Sequence, residues 1–390
     1  MKVSVVGGSL GGLTAAALFS HFDIDVTVYE RSPSELVQRG AGIGLMPETS
    51  RFLTDIAGVA IDDISIQTSH IRYLNRAGAV IHNQPHEYRF SSWNTIYRQL
   101  MACITPSIYK LGHEMVDWSL TDSSATVRFA NGDSATSDLL VFADGVNSLA
   151  RSRLLPDAAP RYAGYVAWRG MVHESELPAD IRSELDDAIT YALYSNSHIL
   201  VYPIPGHDGE VARGNRLFNF VWYRNYTKGG DLENLLTDVD GTVREVSLPP
   251  GAAQQHHVDE MKATARARLP RVVADVITRT AQPFVQVVFD LSIPRMAFGR
   301  SCLIGDAAFL GRPHAAAGTA KAADDAWELV DACRRHSSIH DALAEWESTQ
   351  LQVGQQLYER TERIGRRSQF DNNWVPGDPE LIFGLKGPGR

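Results

Sequence analysis

The sequence predicts an α/β fold with one mainly parallel sheet, a second sheet that is mostly antiparallel, and helices that close the C-terminal end. Residues 1–31 have the pattern of a strand, a glycine-rich turn, a helix and a second strand, which is the βαβ unit of a parallel sheet. Two later apolar runs end in an aspartate and a glycine, at 144–145 and 305–306, as buried strands do at a ligand-binding edge. From residue 162 onward, aromatic segments alternate in polarity between turns and predict the antiparallel sheet.

The N-terminal βαβ unit predicts a cradle for a dinucleotide. Its turn aligns with the G-x-G-x-x-G pattern at Gly7, Ser9 and Gly12, so that a serine takes the place of the middle glycine. Backbone N–H groups and the positive end of the helix dipole would face the pyrophosphate, which requires that large side chains stay away. Glu30 ends the second strand, where a carboxylate can accept hydrogen bonds from the ribose hydroxyls of an adenosine. These residues predict a dinucleotide but do not distinguish FAD from NAD.

The composition is that of a globular protein with room for two hydrophobic cores. The chain has 390 residues, of which 44% are hydrophobic and 21% charged. A net charge of -9 argues against a nucleic-acid-binding surface. The three cysteines lie far apart and have no histidines at metal-ligand spacing, so neither disulfides nor a metal site are expected. With no apolar run of membrane-spanning length and no leader pattern, we expect a cytoplasmic protein that does not enter a membrane.

The predicted nucleotide-binding domain is discontinuous in sequence. Its three parts are residues 1–70, 91–160 and 291–335, the substrate domain takes a hairpin at 71–90 and the main sheet at 161–290, and a C-terminal helix and tail follow at 336–390. Asn131-Gly132 is a strong hairpin signal and predicts a β-meander in the second part. Gly40, Gly42 and Gly44 suggest a backbone that passes close to a flat ligand, although a flexible loop fits the same pattern. The Pro- and Gly-rich tail after Trp374 is expected to be draped or frayed.

Two later motifs join the N-terminal glycine turn. The first is the run Asp144-Gly145-Val146-Asn147-Ser148, followed by two arginines, and the second is Gly305-Asp306 ahead of a turn at 313–318. Together with the runs at 162–170, 202–206 and 312–318, these motifs resemble the single-component FAD-dependent aromatic hydroxylases over nearly the whole chain. The resemblance implies a Rossmann-like FAD-binding domain, with a parallel sheet and a β-meander, beside a substrate domain built on the antiparallel sheet.

The resemblance also implies an activity. A member of this family uses FAD, with NADH or NADPH as a transient co-substrate and O2 as oxidant, to hydroxylate a small aromatic or N-heteroaromatic ring that already carries hydroxyls, such as a dihydroxypyridine. Oxygen is activated as a flavin C4a-hydroperoxide, NADH is the preferred reductant, and a homodimer is compatible with the family. The alternatives are another flavin-dependent oxidoreductase that acts on a natural-product aromatic, and a non-catalytic FAD-binding protein.

Carried over position by position, the resemblance assigns the residues that bind the cofactor. Asp306 would hold the ribityl hydroxyls, Arg98 the pyrophosphate or ribose, and Asp144 the flavin and the docking reductant, although either aspartate could instead be a helix N-cap. Ala317 and Ala320 stand where many relatives have a further glycine and an asparagine. The full predicted set is Gly7, Gly8, Ser9, Leu10, Gly12, Glu30, Arg31, Arg98, Asp144, Asp306, Ala317, Gly318 and Thr319.

Three residues are the candidates for catalysis. His314 follows Pro313 at the predicted flavin face, where an imidazole could deprotonate a ring hydroxyl and make the ring electron-rich. A histidine that only packs within the turn is the alternative. Tyr202 and Tyr223 lie on predicted strands of the aromatic sheet, where alternation lets them face either the substrate or the core.

Overall fold

The computed structural model describes residues 1–36 and 41–390, so Gly40 lies outside the described residues. In chain order the strands are β1 (Lys2–Val6), β2 (Asp25–Tyr29), β3 (Gly42–Gly44), β4 (Ile66–Leu74), β5 (Val80–Ser92), β6 (Tyr109–Lys110), β7 (Met115–Leu120), β8 (Ala125–Phe129), β9 (Ser134–Ser137), β10 (Leu139–Phe142), β11 (Arg161–His173), β12 (Ala188–Tyr194), β13 (Ser197–Ile204), β14 (Leu217–Asn225), β15 (Ser247–Leu248), β16 (Phe284–Asp290), β17 (Ala297–Phe298) and β18 (Ser301–Leu303). The α-helices are α1 (Leu10–His21), α2 (Pro47–Arg51), α3 (Ile61–Ile64), α4 (Trp93–Ala102), α5 (Leu149–Leu154), α6 (Ala179–Leu185), α7 (Gly230–Leu236), α8 (Gln255–Arg268), α9 (Arg271–Arg279), α10 (Gly318–Arg335) and α11 (Ile339–Gln369). Within the described ranges, no helix combines the length and apolarity needed to cross a bilayer.

Six strands form a mainly parallel sheet in the order β17-β18-β10-β1-β2-β6. β1 pairs in parallel with β2 and β10, and β10 pairs in parallel with β18, as the βαβ pattern predicts. α1 packs against both β2 and α10. Because the carboxyl ends of parallel strands meet at one edge, the residues that follow β1, β10 and β18 come to the same edge of the sheet. Gly7, Asp144 and Asp306 are therefore brought together by topology.

The strands β7, β8 and β9 form a separate antiparallel meander. Gly132, in the turn between β8 and β9, has a φ of +91°, which glycine adopts without strain. The Asn-Gly hairpin predicted from the sequence is confirmed.

A nine-stranded sheet in the order β15-β16-β11-β14-β13-β12-β4-β5-β3 is antiparallel except for the β12–β4 pair. One face of this sheet packs on apolar side chains of α8 and α9, such as Met261 and Val273. Its other face meets the turn that precedes α10, the helix α11 and the C-terminal tail. The division into domains stays a prediction, but β3 and the start of β4 at Ile66 join this sheet earlier in the chain than the predicted boundary at residue 71.

The C-terminal tail is draped over a sheet face, which was one of the two expectations, and it is anchored there rather than frayed. The guanidinium of Arg360 on α11 donates to the carbonyls of Gly384 at 2.8 Å, Glu380 at 3.0 Å and Ile382. Lys386 pairs with Asp324 on α10 at 3.0 Å. These contacts hold the tail against the same sheet face, which it covers with Trp374, Phe383 and Leu385.

Candidate active site

The turn after β1 leaves no room for side chains. Gly7 has a φ of +106°, and a methyl group there would lie 2.2 Å from the carbonyl oxygen of Ala143. A methyl group at Gly12 would lie 2.0 Å from the carbonyl oxygen of Gly7. Ser9 is the N-cap of α1, yet its side chain caps no amide of that helix in the described structure. The first amides of α1, beginning at Leu10, therefore remain available to an anion in front of the turn.

Glu30 lies directly beside this turn. Its two carboxylate oxygens accept hydrogen bonds from the backbone N–H groups of Gly8 and Ser32, each at 2.8 Å. A carboxylate offers about four lone-pair positions, so two of them remain for further donors such as ribose hydroxyls. Tyr109 closes the turn from the other side by donating to the carbonyl of Gly8 at 2.9 Å. Arg31, the next predicted residue, has an exposed side chain.

Asp144 and Asp306 follow their strands as predicted. Ser148 is the N-cap residue of α5, but Oδ2 of Asp144 also accepts from the N–H of Ala150 in the first turn of that helix, at 3.3 Å. Asp144 is partly buried, and desolvation raises the pKa of its carboxyl, whose Oδ1 has no hydrogen-bond partner in the described part of the chain. Asp306 lines a pocket, where the surrounding protein raises the pKa of its carboxyl to about 6 while the charge of Arg151 opposes that shift. Both carboxylates therefore stand at the sheet edge as acceptors.

The turn before α10 ends in uncapped amides. Ala316 adopts a left-handed conformation with a φ of +54°, and Ala317 occupies the N-cap without a side-chain acceptor. Gly318 then begins the helix, and Thr319 forms a hydroxyl–hydroxyl contact with Thr49 at 3.2 Å. The end of an 18-residue helix carries partial positive charge, so this terminus suits an electron-rich edge of a ligand.

One pocket joins this turn to the sheet edge. It is lined by Asp306, Phe309, Gly311, Arg312, Ala317, Gly318, Lys321, Leu357 and Thr361. Lys321 is buried and forms an ion pair with Asp325 on the same helix. Arg312 makes two hydrogen bonds to Asp290, at 2.7 and 2.8 Å. Sequence reasoning missed these two cations, because a lysine in a helix and an arginine in a turn usually face solvent.

Arg98 is a predicted cofactor residue whose described contacts are with a surface loop. It lies on α4, and its guanidinium contacts Asp208 at 3.2 Å and the carbonyl of His207 at 3.4 Å. The pair is largely exposed. Its assignment to the pyrophosphate stays a prediction.

His314 lies in a buried aromatic cluster on the nine-stranded sheet. Its Nε2 is 2.7 Å from the hydroxyl of Tyr165, and its ring centroid is 4.6 Å from that of Tyr223 and 5.1 Å from that of His198. Trp374 from the tail stacks near His198 at 4.6 Å. Burial, with the charge of Arg312 and the neighbouring His198, lowers the pKa of His314 well below its usual value. The ring is therefore neutral, and its Nδ1 has no partner among the described residues.

Tyr202 lies further along the same sheet face, beside β3. Its ring stacks on Phe90 at 4.2 Å, and burial raises the pKa of its hydroxyl to about 12. A methyl group at Gly42 would lie 2.8 Å from both Tyr202 and Asn219, so the glycine allows the backbone of β3 to lie flat on this face. Asn219 accepts from the N–H of Gly42 at 3.0 Å, while its own Nδ2 has no partner within the described chain. Tyr202, Tyr223 and His314 thus lie on one buried face of the sheet.

Comparisons with known proteins agree with this arrangement. A family model described as "FAD binding domain-like" matches residues 162–290. The chain is 37% identical to 2,6-dihydroxypyridine 3-monooxygenase of Paenarthrobacter nicotinovorans over 98% of this chain and 96% of that protein. It is 26% identical to 6-hydroxynicotinate 3-monooxygenase of Bordetella bronchiseptica over 98% of this chain and 94% of that protein.

Solved structures share the same fold. The structure of 2,6-dihydroxypyridine-3-hydroxylase from Arthrobacter nicotinovorans matches with a TM-score of 0.94 and 36% identity, covering 99% of this chain and 97% of that one. HpxO of Klebsiella pneumoniae, complexed with FAD and uric acid, matches with a TM-score of 0.77 and 20% identity, covering 98% and 90%. At that identity the second likeness concerns the fold alone.

Proposed function

The chain belongs to the FAD-dependent aromatic monooxygenases, and from that premise we propose that it hydroxylates a dihydroxypyridine-like ring with NADH or NADPH as electron donor. In the balanced reaction a ring C–H becomes C–OH, the second oxygen atom of O2 leaves as water, and the nicotinamide supplies two electrons. The observation that carries this proposal is the end-to-end likeness to 2,6-dihydroxypyridine 3-monooxygenase. NADH as the preferred donor and a homodimer remain predictions from the family.

The residues at the sheet edge fit FAD. A cradle that excludes any Cβ at Gly7 and Gly12 suits a pyrophosphate, and the free lone pairs of Glu30 suit an adenosine ribose. Asp306 suits the ribityl hydroxyls, since a carboxylate accepts hydrogen bonds from a polyol. When bound, FAD supplies the storage of electrons and the activation of oxygen, which no side chain can provide.

The chain's own contribution would be to bind, orient and keep water out. The amides at the start of α10 offer donors to an electron-rich edge of the flavin. The aromatic wall formed by Tyr202, Tyr223 and Trp374 removes water from the reacting ring.

His314 would take part in proton transfer. Burial keeps its imidazole uncharged, and with the ring proton on Nε2 the unpartnered Nδ1 can accept the proton of a ring hydroxyl that is acidic enough to give it to an imidazole of lowered pKa. Loss of that proton raises the electron density of the ring and favours attack on an electrophilic oxygen. The alternative of a histidine that only packs would leave Nδ1 unsatisfied in the resting enzyme.

A substrate panel tests the proposed function. FAD-loaded protein is mixed with NADH and with hydroxypyridines or phenols, and both NADH consumption and product mass are recorded. We expect substrate-dependent NADH oxidation with an equal amount of product that carries one added oxygen atom. NADH oxidation without an oxygenated product would indicate an oxidase or reductase, and no response to any aromatic would favour a non-catalytic flavoprotein.

A further inference from the structure

Tyr165 and His314 form a buried contact between two distant parts of the chain. Tyr165 lies on β11, fully buried, and the two residues are 149 positions apart in sequence. Burial raises the pKa of Tyr165 well above its usual value, so the hydroxyl keeps its proton. The Tyr165 hydroxyl lies 2.7 Å from Nε2 of His314, and the Arg312 guanidinium also faces it.

A glycine near the C-terminal end of α11 makes room for this pair. A methyl group at Gly365 would lie 2.6 Å from the Tyr165 hydroxyl and 2.9 Å from Nε2 of His314. Glycine destabilises a helix interior by roughly 1 kcal/mol relative to alanine, so its position here calls for a packing reason. The closest approach of α11 to the Tyr165–His314 contact supplies that reason.

The turn that carries His314 is also held by contacts of Arg312, two residues earlier. Arg312 precedes Pro313 and makes two hydrogen bonds to Asp290 of β16, with Glu362 of α11 at 3.8 Å. The Arg312 guanidinium also lies 5.7 Å from the Tyr165 ring centroid. Through Arg312, the turn that carries His314 is therefore held against β11, β16 and α11. The orientation of the imidazole ring is then set by rotation about its own side-chain bonds.

We propose that Tyr165 is a positioning residue whose hydroxyl oxygen accepts from Nε2–H of His314, so that Nδ1 keeps its lone pair and is the ring nitrogen that meets the substrate. This inference rests on the proposed function, because it assumes that His314 faces the substrate. Free rotation about χ2 would exchange the two ring nitrogens, and the tyrosine hydroxyl prevents that exchange. A histidine whose second nitrogen is held by a partner also keeps one tautomer.

Tyr165→Phe tests the proposal, because it removes one oxygen atom and keeps the ring. In FAD-loaded protein labelled with 15N at the histidine rings, His314 is expected to show one neutral tautomer, and Tyr165→Phe is expected to give a mixture. We expect kcat to fall about tenfold or more with little change in KM, since misorientation of a proton acceptor lowers the chemical step. The 15N ring signals that are absent in His314→Ala are those of His314.

Tyr162→Phe is the matched control. Tyr162 is on the same strand but its hydroxyl donates to the carbonyl of Tyr226 at 2.9 Å, away from His314. It should leave both the His314 tautomer and kcat unchanged. Gly365→Ala should reproduce the Tyr165→Phe spectrum by pushing the pair apart, whereas Gly230→Ala, where no described atom lies within 4 Å, should not.

The outcomes separate this inference from the proposed function. An unchanged tautomer and unchanged kcat in Tyr165→Phe, with activity lost in His314→Ala, would overturn the positioning role alone. Full activity in His314→Ala would remove the histidine from the mechanism and with it this inference, while leaving the hydroxylation itself intact.

Discussion

At the scale of single residues, burial decides the charge of the two histidines on the covered face of the nine-stranded sheet. His198 and His314 are both neutral because desolvation lowers their pKa, that of His198 to about 3. Glu30, by contrast, is held by two backbone donors beside the glycine turn. The buried sheet face therefore carries neutral nitrogen atoms, and the edge of the parallel sheet carries carboxylates.

Replacing His314 with alanine should separate catalysis from cofactor binding. We expect FAD to be retained and substrate-dependent turnover to fall on the order of 100-fold, the usual contribution of a general base. Bound flavin absorbance and the rate of oxygenated product formation measure the two properties. Coupled turnover equal to that of the wild type would exclude His314 from the reaction.

Glu30→Gln should weaken FAD binding. Hydrogen bonds to a charged acceptor contribute about 1.5–3 kcal/mol, so the Kd for FAD should rise about tenfold or more. Titration of the apoprotein with FAD provides the Kd, and unfolding curves check that the turn is intact. Glu35→Gln, at an exposed position nearby, is the control and should bind FAD as the wild type does.

His198 should make the protein less stable in mild acid. Its pKa is lowered in the folded state, so below about 6.5 the unfolded chain binds a proton that the folded chain does not. The free energy of unfolding should therefore fall by about 1.4 kcal/mol per pH unit for this residue as pH decreases from 6.5 towards 3. Urea unfolding at pH 7 and pH 5 should show a smaller loss in His198→Gln than in the wild type, whereas the exposed His340→Gln should lose as much as the wild type.

Sequence patterns identified residues whose role depends on local context. Glu30 follows a strand and His314 follows a proline in a recognisable turn, so both could be named from the chain alone. Tyr165 and Lys321 could not, because their partners are brought to them by tertiary packing. Arg98 was named from the family, and its assignment stays a prediction, since its described ion pair is with Asp208 at the surface.

At the level of single elements, α10 carries a buried ion pair close to the candidate flavin edge. Lys321 and Asp325 are both buried, and Asp325 also accepts from the N–H of Gly305 at 2.9 Å. The pair therefore links the first turns of α10 to the strand end that presents Asp306. Lys321 and Asp325 are four residues apart on α10, so their side chains lie on the same face of the helix.

Lys321→Met should destabilise the protein by about 3 kcal/mol, because it leaves the carboxylate of Asp325 buried and unpaired. The double variant Lys321→Met with Asp325→Asn should recover most of that loss, since no charge remains. Denaturant unfolding of the wild type, the single variant and the double variant measures both steps. A double variant as unstable as the single variant would contradict this account of the pair.

Long elements with clear periodicity were predictable, and short ones were not. The strands around the glycine turns, the meander and the two C-terminal helices agree with the expected pattern. β3 consists of Gly42, Ile43 and Gly44, and it exists because its backbone pairs with β5 and packs flat on Tyr202. Glycine has low strand propensity, so only the tertiary partner makes this segment a strand.

At the scale of the whole molecule, the C-terminal tail covers the sheet face that carries His314. Arg360 holds it through three backbone carbonyls, and Trp374 reaches the ring of His198. Carbonyl acceptors leave no mark in a sequence pattern, which explains why a frayed tail remained an alternative to a draped one. His198 of β13 and Trp374 of the tail, whose rings lie 4.6 Å apart, are 176 positions apart in sequence (374 minus 198).

Arg360→Gln should release the tail without unfolding the protein. The loss of charged hydrogen bonds worth about 1.5–3 kcal/mol should speed amide hydrogen exchange in residues 380–390 by at least tenfold. Arg363→Gln, on the same helix, removes an exposed ion pair to Glu380 and should have little effect. Equal exchange in the Arg360 variant and the wild type would show that apolar contacts alone hold the tail.

The origin of the inserted oxygen tests the central claim most directly. FAD-loaded protein, NADH and a dihydroxypyridine are combined under 18O2, and the product is analysed by mass spectrometry. A monooxygenase places one 18O atom in each product molecule and releases the other as water. Product that takes its new oxygen from labelled water, or NADH oxidation that yields no labelled product, would contradict the assignment.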